Sequence, residues 1–279
     1  MKFGVNTFIW AASFDRGAIP LEAIKNHGID GIEVPLFNPA DFDVAGVRQA
    51  QRDFGLECTV CAVNPAGINP TGDDPSGRAQ AIEHWKRAIG TAAAAGAKVV
   101  AGPVYAPVGY LPGRRRTADE WTWGVEFFRA LVPTLRDHGV TLAVEPLNRF
   151  ETYYLNTAAD AVKLVEEVGS SEVGILFDTF HANLEEKDVA AAYRYCGRRL
   201  AHVHTCENDR GIPGSGHVDW PGVFAALKAI GYDGWLTIES FNANIKELAA
   251  ATAIWRDLAP SLDDIAFQGT AFLRKMAGA

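Results

Sequence analysis

Thr141-Leu-Ala-Val-Glu-Pro-Leu-Asn-Arg-Phe-Glu151 is an apolar run, rich in β-formers, that ends abruptly in a carboxylate, a proline and a cluster of polar and charged groups. A strand that buries Leu142 and Val144 and then delivers Glu145 at its C-terminal end is building a site. The same design recurs downstream, where Ile-Leu-Phe ends in Asp178, Ala-His-Val ends in His204 and Leu-Thr-Ile ends in Glu239.

Around these four runs, short apolar strands alternate with longer amphipathic segments, the pattern of a parallel sheet with helical crossovers. The strands read as Phe3–Phe8, Gly31–Val34, Leu56–Val63, Val99–Tyr105, Thr141–Leu147, Val173–Asp178, Leu200–Cys206 and Trp235–Ser240. Helices are expected near 18–27, 43–54, 77–95, 118–138, 157–168, 188–195, 220–230 and 244–257, with an apolar tail through 262–276. Glycines after His27, Phe54, Ala95, His138 and Ile230 suit the left-handed residue that ends a helix. Asn156-Thr157, with Asp160 in the first turn, reads as a helix start. Eight strand–helix units predict an α/β fold, a single (β/α)8 TIM barrel forming one domain over residues 1–279 with closing helices at about 244–277. No G-x-G-x-x-G follows the first strand, which weakens an open dinucleotide-binding sheet.

Composition narrows the partners. A chain of 279 residues with 48% hydrophobic content builds a sizeable core. A net charge of −8 argues against nucleic acid or an anionic membrane as the main partner, since either needs a basic face. A small molecule is the expected partner. The start, Met1-Lys2-Phe3-Gly4-Val5, enters a strand at once, and no apolar run approaches membrane-spanning length, so the expected location is the cytoplasm. Four cysteines fit a reducing compartment. Cys58 and Cys61 have the spacing of a redox or zinc motif, yet they lie on a strand where residues three apart face opposite ways, so two buried, unlinked thiols are expected.

In a barrel, residues at the C-terminal ends of strands converge on the axis at one face. Glu145, Asp178, His204 and Glu239 can then share one ion. Three carboxylates and one imidazole form an oxygen-rich set that suits Mn²⁺ or Mg²⁺, and also Co²⁺, better than a closed structural zinc site. A lone acid at a strand end more often caps a helix or joins an ion pair; four in successive units are harder to explain that way. His202 faces the same side as His204 one layer deeper, and packing is its expected role.

Around these four residues stand Asn148-Arg-Phe-Glu151, Asp178-Thr-Phe-His181, His204-Thr-Cys-Glu207-Asn-Asp-Arg210 and the Tyr232-Asp-Gly234 before the last strand. In these motifs, taken in this order, the sequence resembles the D-tagatose 3-epimerase and D-psicose (allulose) 3-epimerase family of xylose-isomerase-like barrels. The resemblance implies that Glu145, Asp178, His204 and Glu239 bind a divalent metal, typically Mn²⁺ or Co²⁺, and that Glu145 and Glu239 double as the catalytic pair. It also implies that Glu151, His181 and Arg210 contact the oxygens at the reacting end of a ketose, and that the chain forms a homodimer or homotetramer. The resemblance departs at Tyr105–Tyr110 and in the first loop with Trp10 and Phe14, regions that would hold the far end of the sugar.

The chemistry is coherent on its own terms. Removing the C3 proton of a ketose requires stabilisation of an enediolate, which a metal supplies as Lewis acid and template. Epimerisation then needs proton-transfer groups on opposite faces of C3. An aldose–ketose isomerase of the hydroxypyruvate isomerase type or an inosose dehydratase could use the same set, and an abasic-site endonuclease shares the barrel, although the acidic charge speaks against DNA. Arg114-Arg-Arg116 could grip a sugar phosphate, but local ion pairs or a subunit contact are the expected role, as packing is for Trp121 and Trp123.

Overall fold

The computed structural model describes residues 1–278. Eight strands, β1 (Lys2–Asn6), β2 (Gly31–Leu36), β3 (Glu57–Ala62), β4 (Val99–Gly102), β5 (Thr141–Val144), β6 (Val173–Asp178), β7 (Leu200–His204) and β8 (Trp235–Ile238), pair in parallel in sequence order. The sheet closes where β8 returns to β1, with Lys2 opposite Trp235 and Val5 opposite Ile238. This is the (β/α)8 barrel expected from the alternation. Around it lie α1 (Leu21–Asn26), α2 (Val44–Phe54), α3 (Pro75–Ala94), α4 (Ala118–His138), α5 (Ala158–Val168), α6 (Thr179–Glu185), α7 (Val189–Cys196), α8 (Trp220–Ala229), α9 (Lys246–Thr252) and α10 (Leu262–Ala277).

Local chemistry explains where the elements stop. The runs 99–105 and 141–147 end as strands at Gly102 and Val144 because Pro103 and Pro146 have no N–H for the ladder. Helices α2 and α4 end on Gly55 and Gly139, both at φ 61°, where a side chain would be strained. Thr157 caps α5 by accepting from the Asp160 N–H, as its sequence suggests. Beyond shifts of a few residues at other ends, two elements differ from the sequence reading. The short helix α6 follows β6 without a loop, started by Asp178, whose carboxylate accepts from the Phe180 N–H at 2.8 Å. The expected helix over 244–257 shrinks to α9, since Ile245 offers no capping side chain and Ala253 turns left-handed at φ 54°.

Packing separates an outer core from the barrel's bore. Val100 and Leu142 join the layer between strands and helices with Trp85, Phe128 and Leu131. Their neighbours Ala101 and Ala143 turn the other way and meet Leu176 in a small inner cluster. These small side chains leave the bore open at the mouth, where Ala101 lines a cavity. Cys58 and Cys61 are buried free thiols, Cys58 in the outer core and Cys61 toward the mouth. Among the described residues no helix is long and apolar enough to cross a membrane.

The first and last arginines of the run are held in local ion pairs. Arg114 grips buried Glu120 through two hydrogen bonds of 2.8 and 2.9 Å, and Arg116 reaches Asp160 at 2.6 Å while lying over Trp121. Trp121 itself donates to Glu167 at 2.7 Å, and Trp123 packs beneath Arg78. Burial pushes the Glu120 carboxyl up, but Arg114, the Thr117 N–H and the Tyr153 hydroxyl outweigh it and hold it down at about 2 against an ordinary 4.5. Such a group stabilises the fold above its unfolded pKa and loses that contribution as the pH falls toward its folded one. Glu120→Gln is therefore expected to lower stability at pH 7 by about 2 kcal/mol, discounted for the half-exposed arginine. Urea titrations should show the gap to wild type closing between about pH 4.5 and 2.

Candidate active site at the barrel mouth

The barrel brings together all four residues that end the later strands. Asp178 and His204 close β6 and β7 and are direct partners across the ladder, while Glu145 and Glu239 stand one residue beyond β5 and β8. A register shift at Ile175/Leu176 sets this alignment. His204 Nδ1 lies 3.6 Å from a Glu239 oxygen and 3.9 Å from a Glu145 oxygen. All four are buried, with exposures of 4% for Glu145, 0% for Asp178, 1% for His204 and 8% for Glu239.

This set has the chemistry of a metal centre. Glu145 Oε1, Asp178 Oδ2 and His204 Nδ1 are buried without a hydrogen-bond partner among the described residues, and ligand atoms of these three side chains lie within 4.8 Å of one another. Buried acceptors without donors are rare unless something electropositive belongs between them. Three such atoms converging on one point fit a divalent cation.

The electrostatics agree. Burial pushes Glu145 well above the usual carboxylate range, His204 opposing and the charges of Glu239 and Asp178 adding to it, and burial with Glu239 raises Asp178 to about 6. At Glu239 burial is outweighed by His204 and by Arg210, whose guanidinium donates at 2.5 Å, and the carboxyl is held at about 2. Without a cation the carboxylates are crowded enough that protons must take its place.

The three residues expected to touch substrate sit on the same cavity as Glu145, His204 and Glu239. Asn148 organises two of them. Its side chain donates to Glu151 at 2.7 Å, and its backbone N–H donates to His181 Nδ1 at 3.1 Å. That acceptor role places the ring proton of neutral His181 on Nε2, 3.2 Å from Arg210 Nη2. Burial and Arg210 both lower the His181 pKa, so the ring stays neutral. Two donors thus face each other, with the nearest carboxylate oxygens to Nε2, of Glu145 and Asp178, at 3.7 and 3.8 Å, beyond hydrogen-bond range, an arrangement that a ligand oxygen completes.

Arg210 is held in a left-handed backbone, φ 64°, and lies between the rings of Phe180 and Phe241. Its loop is folded around buried Glu207, which accepts from the Gly214 and Val218 N–H groups at 2.7 and 3.0 Å and from the Trp220 indole at 2.9 Å. The sequence reading quoted Asn148 and Glu207 within motifs and gave them no role. It passed over Glu33 altogether, although a lone acid inside the apolar run Gly31-Ile-Glu-Val-Pro-Leu36 was the available signal.

The rest of the cavity is small and apolar. The whole cavity, polar groups included, holds about 160 Å³, below the roughly 300–1,000 Å³ of drug-sized pockets, and suits a small metabolite. Phe8, Val108, Phe241 and Leu248 supply apolar lining. Trp10 and Phe14 do not line it: the Trp10 indole turns to Asp263 at 2.7 Å and Phe14 packs on the outer core. Tyr105 is likewise buried, stacked on Tyr154. Of the regions where the sequence departs from the motifs, the Val108 end of the fourth loop reaches the cavity.

Residues 21–274 match the sequence profile of a family described as xylose isomerase-like TIM barrels. A probable ketose 3-epimerase from Synechocystis sp. is 38% identical over 276 residues, 99% of this chain and 96% of that protein. The chain belongs to the ketose 3-epimerase family of xylose isomerase-like barrels. It is an isomerase of the carbohydrate 3-epimerase class. An L-ribulose 3-epimerase from Mesorhizobium japonicum shares 33% identity over 92% of this chain and 88% of its own length. Among solved ketose 3-epimerases, the D-allulose 3-epimerase from Methylomonas sp. in complex with D-allulose superposes with a TM-score of 0.93 at 28% identity, covering 99% of this chain and 97% of that one.

If the orphaned acceptors form a cation site, a divalent ion such as Mn²⁺ at about 100 times its dissociation constant should stabilise the fold by roughly 2.7 kcal/mol. Differential scanning fluorimetry should show the corresponding rise in Tm, its reversal by chelator, and its absence in Asp178→Asn.

Proposed function

We propose that the chain is a metal-dependent ketose 3-epimerase that interconverts C3 epimers of free ketoses of the D-tagatose, D-psicose/D-fructose and L-ribulose type. The observation that carries this reading is the placement of two carboxyl groups, Glu145 after β5 and Glu239 after β8, on different walls of one cavity that also holds the paired donors of His181 and Arg210. The names of the relatives, which include L-ribulose and D-psicose 3-epimerases, support the same substrate class.

In this reading Glu145, Asp178, His204 and Glu239 hold one divalent ion, Mn²⁺ by preference for an oxygen-rich set, with Co²⁺ or Mg²⁺ as substitutes. When bound, the ion supplies Lewis-acid charge where negative charge builds up on the sugar's O2 and O3. The protein's own groups do the rest. His181 Nε2–H and Arg210 donate to oxygens at the reacting end of the ketose, and Glu151, tied to Asn148, orients the neighbouring hydroxyl. One of Glu145 and Glu239 removes the C3 proton, and the other delivers a proton to the opposite face. Two carboxylates can exchange these tasks, so either epimer serves as substrate.

A free sugar is favoured over a sugar phosphate because Arg114 and Arg116 are engaged with Glu120 and Asp160 and line no part of the cavity, where Arg210 is already paired with Glu239. The chain is read as one barrel domain acting in the cytoplasm as a homodimer or homotetramer, a reading that exposed Phe150 and Tyr110 suit.

The test is a panel of ketoses incubated in heavy water with Mn²⁺, with and without chelator. C3-epimeric products carrying deuterium at C3 are expected, with turnover lost on chelation, and Glu239→Gln should slow the reaction by roughly 10²- to 10⁴-fold. Aldose or dehydrated products, or near-normal rates in Glu239→Gln, would overturn the reading.

A further inference from the structure

Another buried acid lies beneath the three carboxylates and the imidazole at the mouth. Glu33, in the middle of β2, is fully buried, and its Oε1 lies 2.7 Å from His204 Nε2. β2 is three places round the closed sheet from β7, so this contact crosses the bore of the barrel. Glu33 is itself held from several sides. The Asn6 amide donates to Oε1 at 3.1 Å from β1, the Thr59 hydroxyl donates to Oε2 at 3.0 Å from β3, and His202 Nε2 lies 2.8 Å from Oε2.

The two nitrogens of His204 therefore have opposite neighbours. Nε2 faces a carboxylate, which accepts the ring proton and defines the tautomer. Nδ1 has no hydrogen-bond partner among the described residues and lies 3.9 Å from a Glu145 oxygen and 3.6 Å from a Glu239 oxygen, so an ion between them would find its lone pair once the ring is neutral. A ring anchored on one nitrogen by a fixed acceptor presents the other at a set angle. Glu33, His202 and His204 also satisfy the composition of a metal cage. Glu33 already meets both rings at hydrogen-bond distance, however, and an ion between them would need to push these contacts apart.

We infer that Glu33 is a positioning residue for the metal centre: it holds His204 from across the barrel so that Nδ1 faces the ion. The inference rests on the metal-site reading above. It also gives His202, Asn6 and Thr59 a shared task, keeping the Glu33 carboxylate in place. What Glu33 contributes is an acceptor at a fixed point, so a neutral side chain with an oxygen at that point should serve nearly as well.

Mn²⁺ binding to the purified full-length protein, followed by isothermal titration calorimetry with circular dichroism as a check on folding, tests this directly. The wild type should bind one ion per chain. Glu33→Leu, similar in size but without an acceptor, should bind roughly 10- to 100-fold more weakly. Glu33→Gln, which keeps a carbonyl oxygen for Nε2, should recover affinity to within about 3-fold of wild type, a rescue that loss of packing alone would not produce. Should Glu33→Leu fail to fold, Thr59→Val decides, since it frees one Glu33 oxygen without touching a ligand and should weaken binding several-fold. Unchanged affinity in Glu33→Leu or, in its place, Thr59→Val would overturn the inference, as would a Glu33→Gln protein as weak as Glu33→Leu. Two ions per chain would overturn it by showing that Glu33, His202 and His204 hold an ion of their own. A wild type that binds no divalent ion would instead sink the metal-site reading on which the inference stands.

Discussion

Like charges held together out of water repel strongly, and the mouth of this barrel is built around that repulsion. Glu145, Asp178 and Glu239 are buried side by side, and Arg210 lies among them, 2.5 Å from Glu239 and 3.6 Å from Asp178. Even with the His204 imidazole, whose burial Glu33 and Glu239 outweigh, pushed up toward its charged form, two cations do not balance these three carboxylates and Glu33, and Glu145 Oε1 has no hydrogen-bond partner among the described residues. A divalent ion at this point would remove the repulsion and complete the coordination of the orphaned atoms together. The arrangement is unfavourable for the empty fold and favourable for a loaded one, as expected of a site that gives up stability for chemistry.

The barrel makes such crowding feasible because backbone pairing, not the side chains, holds the strand ends together. Each carboxylate is delivered by a buried strand whose position is set by two neighbours, and the repulsion acts on a frame that cannot spread. Small residues inside, Ala101 and Ala143, keep the bore from filling, while Glu33 and its partners form a polar floor. Over the mouth, α9 contributes Leu248 and Thr252 to the cavity wall. The cavity thus combines the polar groups that can recognise the reacting oxygens of a sugar with apolar residues such as Phe8 and Phe241.

Most of this frame was legible in the sequence, because strands buried on both faces of a parallel sheet read as apolar runs and helix ends are marked by glycine and capping residues. The four strand-end groups stood out for the same reason: each is a charged or imidazole side chain at the end of such a run. Glu33 was missed because it breaks its run in the middle, where nothing in a one-dimensional reading shows that His204, 171 residues away, lies against it. The first loop was assigned to the sugar's far end because it departs from the motifs of the resembled family. Trp10 instead found a carboxylate on α10, a long-range contact no local pattern encodes. Helix α6 was invisible because its seven residues are too few to show a helical period, and its cap, Asp178, had been read for its chemistry alone.

The account depends on one ion sitting where four strand ends meet, and anomalous scattering from a crystal grown with Mn²⁺ locates it most directly. The expected result is a single anomalous peak at roughly 2.0–2.3 Å from oxygens of Glu145, Asp178 and Glu239 and from His204 Nδ1, with His204 Nε2 still on Glu33. A peak between Glu33, His202 and His204, or none at the mouth at saturating Mn²⁺, would contradict it.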